Sequence, residues 1–64
     1  MIQLSRLKTK EEFILNADLI ETIEETPDTV ITLTTGRKIL VEEAMKEVVY
    51  RTVEYKRAIF RNMR

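Results

Sequence analysis

The spacing of apolar residues changes once along the chain, near residue 42. Before that point they come in short alternating or continuous runs, the pattern of strands; after it they recur at intervals of three and four, the pattern of a helix. Ile2 and Leu4 alternate with Gln3 and Ser5, which predicts a first strand with one buried face. Arg6 to Glu11 is polar and reads as the loop of a first hairpin, without the Gly or Asn that would fix its turn type. Phe13, Ile14 and Leu15 form a run too short for a helix and predict a second strand. Asn16-Ala17-Asp18 interrupts it. Asn and Asp bond their own nearby backbone, so Asn16 is expected to cap a bend or a single helical turn that redirects the chain into Leu19.

Two further turns have local chemistry of their own. Thr26-Pro27-Asp28-Thr29 lies between Ile20–Thr26 and the β-branched run Val30–Thr34, and Pro presets φ for a hairpin turn. Gly36 is the one glycine in the chain, and in Thr35-Gly36 it supplies a positive φ before the last strand, Lys38 to Val41. The expected sheet is therefore a meander of four or five short antiparallel strands with one face covered.

From residue 42 to 63 the pattern predicts one amphipathic helix. Its apolar positions cover an arc of about 160 to 180°. Met45, Val48, Val49, Thr52, Val53, Tyr55, Ile59, Phe60 and Met63 make up this stripe and are the residues expected at an oligomer interface, and Glu43, Glu47, Glu54, Arg57 and Arg61 lie opposite. Glu47/Arg51 and Glu54/Arg57 have the spacing of facing pairs, which Glu54/Lys56 lacks. Length adds a constraint. Such a helix would be about 33 Å long at 1.5 Å per residue, against about 17 to 20 Å for strands of five or six residues. The sheet cannot cover the whole stripe, so its excess, Val53 through Met63, is expected to meet a second copy or another protein. The expected fold class is α+β, one domain over residues 1–64, with the sheet in 1–41 and the helix in 42–63.

Composition points the same way. With 64 residues the chain can bury only about 60% of its unfolded surface, and domains this small commonly lean on disulfides, a metal or another subunit. Cys and His are both absent, which removes disulfides, thiolate chemistry and the usual zinc and haem ligands. Self-association remains. The 11 basic and 11 acidic groups cancel, so no global field draws in nucleic acid or anionic lipid. Residues 1–50 nevertheless hold 6 basic and 10 acidic groups and residues 51–64 hold 5 and one, a balance of −4 against +4. Cations at a helix C-terminus suit the macrodipole; they also offer a docking end to an acidic partner. No apolar run approaches the roughly 20 residues of a membrane span, and no signal peptide is read at the N-terminus. A cytoplasmic protein is expected.

Reaction chemistry is not evident. Catalysis calls on a nucleophile with its base, a metal site or carboxylates tuned apart in a cleft, and here only hydroxyls and carboxylates are on offer. Glu21, Glu24 and Glu25 lie close together; strict strand alternation puts Glu21 and Glu25 on one face and Glu24 on the other, as a solvated strand or a partner surface. No cofactor, metal or small-molecule substrate is expected, and two tyrosines and two phenylalanines are few for a base-stacking platform.

The stretch Asn16-Ala17-Asp18-Leu19-Ile20, with Glu24-Glu25-Thr26-Pro27-Asp28-Thr29 and Gly36 at matching separations, resembles the FlbD/SwrD-type small flagellar proteins from Ile2 to about Tyr55. Their pattern is an N-terminal β segment, these turns and a C-terminal helix. The resemblance implies a non-catalytic accessory of the bacterial flagellum that supports swarming by raising motor power, acting on or near the stator, at the cytoplasmic face of the motor. Asn16, Asp18, Pro27, Asp28 and Gly36 match motif positions, each with a structural use as a cap or turn former. Candidate partner contacts are then Glu21, Glu24 and Glu25, or the basic end at Arg57, Arg61 and Arg64. Relatives often place Ser with Glu three residues later at the helix start; here Ala44 precedes Glu47, so that capping box is missing, and the helix is expected to start earlier. The alternative reading is a small nucleic-acid-binding regulator, since LVEEAMKEV is similar to the end of LytTR-type DNA-binding domains.

Overall fold

Two antiparallel ladders and one helix make up the computed structural model, which describes residues 1–62. Strands β1 (Ile2–Ser5) and β2 (Glu12–Leu15) pair with Ile2 opposite Leu15 and Leu4 opposite Phe13. A single 3-10 turn, Ala17–Leu19, leads into β3 (Ile20–Glu25), β4 (Thr29–Leu33) and β5 (Lys38–Val41), which pair in that order. The α+β order expected from the sequence is present. The strands do not form one continuous meander, however, because β3 does not continue on from β2. The Asn16 side chain accepts from the Asp18 N–H (3.1 Å) and its carbonyl from Leu19 (3.0 Å), closing a turn that swings the chain away.

The two ladders meet at the other edge of β1. Arg6 bridges to Val41, the Leu7 N–H donates to the Leu40 carbonyl (3.2 Å), and the Glu42 N–H donates to that of Ser5 (2.8 Å). This junction lets inward-facing residues from both ladders share one core, in which Leu4, Ile31, Val41 and Val48 are fully buried. Truncating one such aliphatic side chain to Ala typically costs about 2–5 kcal/mol. In a domain this small that is a large part of the total stability.

Ile20 and Ile23 both pack against the core although they are three positions apart, a spacing that plain strand alternation forbids. The ladder resolves this with an irregularity. Ile20 lies opposite Leu33, Thr22 opposite Thr32 and Ile23 opposite Ile31, so Glu21 is an extra residue in β3. This corrects the expected placement of the glutamates. After Glu21 the alternation resumes, so Glu25 lies on the same face as Ile23 and Glu24 on the other.

The hairpin turns differ in how they close. Thr26–Asp28 joins β3 to β4 through a cis Thr26–Pro27 peptide, and the Thr26 N–H donates to the Asp28 carbonyl (3.2 Å). Gly36 has φ +91°, and its N–H donates to the Leu33 carbonyl (2.8 Å). In the first hairpin, where no Gly or Asn is present, Lys10 takes the left-handed conformation instead, with φ +59°.

Helix α1 spans Met45–Asn62, so it starts three residues later than the predicted residue 42. Glu42 and Glu43 are held instead by β1. Ala44 occupies the cap position: its carbonyl accepts from Glu47 (2.9 Å) and Val48 (3.1 Å). Its methyl side chain cannot bond the free N–H groups of the first turn. Glu25 on β3 does so from a distance, its carboxylate accepting from the Met45 N–H at 2.9 Å. A candidate partner residue from the sequence is thus used as a helix cap.

At 18 residues α1 is about 27 Å long. It packs against β1 and β3 and then runs past them, which gives extents of 40 × 22 × 18 Å. The radius of gyration is 12.0 Å, above the roughly 11 Å expected of a compact domain of this length.

Candidate interaction surface

The apolar arc of α1 divides along its length. Val48, Thr52 and Tyr55 lie within about 60° of one another on a helical wheel. Val48 is fully buried, Tyr55 packs on the core, and the Thr52 hydroxyl donates to the Val48 carbonyl (2.9 Å). Val48 therefore belongs to the subunit's own core and offers no surface to an interface, contrary to its expected place in the stripe. Thr52 and Tyr55 are only half-buried. Met45, Val49, Val53 and Phe60 fall in an adjacent arc of about 80°, and all four are exposed, Phe60 at 73%. Ile59 continues the inward side a turn beyond Tyr55 and is exposed as well. The uncovered surface thus begins at Met45 rather than at Val53, as a band along the whole helix. Met63, also expected in it, lies outside the described residues.

A second feature holds this helix to the sheet. The edge of β1 that faces away from β2 exposes backbone groups, and side chains from α1 and its approach take them. Glu43 accepts from the Ser5 N–H (2.9 Å), and Arg51 donates to the Gln3 carbonyl. Arg51 also meets Glu43 (3.5 Å) and, one turn back, Glu47 (3.0 Å). Burial pushes the Glu43 carboxyl up, but hydrogen bonds from the Ser5 and Glu43 backbone N–H groups and the Ser5 hydroxyl, with the Arg51 charge, outweigh it. The net result lies below the ordinary value, so Glu43 is held as a carboxylate. Around this network runs an open groove of about 630 Å³ lined by Met1, Gln3, Glu12, Tyr50, Arg51 and Tyr55 among others. Its central charged groups are already bonded to one another.

The remaining candidates are scattered. Asn16 and Asp18 form the 3-10 turn, Pro27 and Asp28 the second hairpin, and Gly36 the third. Glu21 and Glu24 are exposed on β3. Arg57 pairs with Glu54 (3.4 Å), the facing pair read from spacing, and Arg61 is exposed at the helix end. Arg64 lies outside the described residues. Among the described residues, no group of three acidic side chains is placed to hold a metal, and no helix is long and apolar enough to cross a membrane.

The family model for FlbD, flagellar and swarming motility proteins, matches residues 1–60. No curated protein sequence and no solved structure matches the chain.

Proposed function

The chain belongs to the FlbD family of flagellar and swarming motility proteins, and from that premise we propose that it is a non-catalytic flagellar accessory protein acting through protein contacts. In this reading it self-associates and engages motor proteins at or near the stator, on the cytoplasmic side, and so raises motor power in swarming cells. The observation that carries the reading is the exposed band of Met45, Val49, Val53 and Phe60 on a helix that projects beyond its own sheet. Exposed apolar residues that are contiguous, rather than scattered singly, mark contact surfaces. The central charged groups of the groove, Glu43 and Arg51, bond one another and hold α1 to β1.

Deletion of the gene tests this. The mutant is expected to assemble a normal number of flagella, to swarm poorly, and to show reduced torque when single motors turn a tethered bead. Normal swarming, or an absence of filaments, would contradict the proposal.

A further inference from the structure

The exposed band on α1 has two properties that select its occupant. The first is its near-symmetry about Val53. Met45 lies eight residues before that point and Phe60 seven after, with Val49 and Lys56 at intermediate positions four before and three after. Read in reverse, the spacing is nearly the same, with Lys56 standing where Val49 stands. The second is charge. Glu25, whose carboxylate accepts the Met45 N–H, and Glu42, three positions before Met45, lie at that end with one cation, Lys46, while Lys56, Arg57 and Arg61 lie around Phe60. A parallel copy would set acid against acid and base against base; an antiparallel copy sets each against its opposite. Opposed helix dipoles favour the same arrangement.

We propose that α1 docks along α1 of a second copy in antiparallel orientation, with Val53 at the two-fold axis and Met45 of each chain against Phe60 of the other. This deepens the self-association in the function proposed above and rests on that reading. In this pairing the Lys56 stem lies over Val49 of the other chain, an apolar contact that still leaves its ammonium group at the acidic end. Both helices keep their inward faces on their own sheets, so neither fold has to open. The interface is isologous and closes at two copies.

Because the natural chain has no cysteine, single engineered thiols report on the pairing directly. In the antiparallel dimer the two copies of residue 45 are about 22 Å apart along the axis, out of reach of a short bis-maleimide. Val53→Cys is expected to cross-link to itself. Met45→Cys alone and Phe60→Cys alone are expected not to, while an equal mixture of the two gives a cross-linked dimer. Self-linking of Met45→Cys and Phe60→Cys without linking in the mixture would mean a parallel pair and overturn the proposal. Light scattering on the unaltered protein, which no substitution can perturb, is expected to give twice the chain mass at micromolar concentration. A monomer mass would overturn the proposal too. If these tests fail while the deletion strain still swarms poorly, the pairing falls and the flagellar role stands.

Discussion

Glu43 and Arg51, eight positions apart in the chain and 3.5 Å apart in space, together occupy the open edge of β1. One accepts the Ser5 N–H and the other donates to the Gln3 carbonyl, so two side chains stand where a neighbouring strand would be. An uncovered edge invites pairing with other chains. Here it is closed by the same contact that fixes the angle of α1, and therefore the direction in which its exposed band faces.

The Glu43 carboxylate gives this contact a pH dependence of definite sign. Its folded-state value lies below the ordinary 4.5, so its stabilisation is complete above that value and is lost as pH falls through the lower folded one. Glu43→Gln should flatten the acid limb of a stability-against-pH curve and cost about 1 kcal/mol near neutrality, measured by urea unfolding. Arg51→Met should cost about 0.5–1 kcal/mol, since its ion pairs are partly exposed.

Glu25 supplies a cap that the helix lacks locally. Glu25→Ala should destabilise the fold by about 1 kcal/mol, in the range of cap substitutions. Hydrogen exchange should show faster exchange at the first turn of α1, with little change at Leu33 or Ile39 in the sheet.

Lys10 and Gly36 should respond in opposite directions. Lys10 has a left-handed φ that L-residues adopt at a cost, so Lys10→Gly should raise stability by about 0.5–1 kcal/mol. At Gly36 a Cβ would meet nothing within 4 Å, so Gly36→Ala carries only the strain of its φ, about 1–2 kcal/mol. Thermal melts of both variants check this.

What could be read from the sequence follows from where each signal lies. Pro27 and Gly36 mark their turns because the conformational constraint is in the residue itself. Glu47/Arg51 and Glu54/Arg57 form as spacing predicts because both partners share one helix. The start of α1 was displaced because its cap comes from Glu25, 20 residues away, and its approach is pinned to β1. Glu43–Arg51 had no periodic signature, since Glu43 precedes the helix. The extra residue at Glu21 did leave a trace, the spacing of three between Ile20 and Ile23 within a strand, but recognising it requires knowing that both point inward. The helix stripe was visible as a whole; its division into a buried side at Val48 and an open side at Val49 depends on the angle at which α1 meets the sheet.

The exposed band of α1 is tested most directly by the swarming of a strain carrying Phe60→Asp. Phe60 is 73% exposed on its own subunit, so the variant should fold and accumulate as the unaltered protein does, losing only the stability that pairing adds. The account predicts that this strain swarms as poorly as the deletion. Full swarming by a strain containing the folded variant would contradict it.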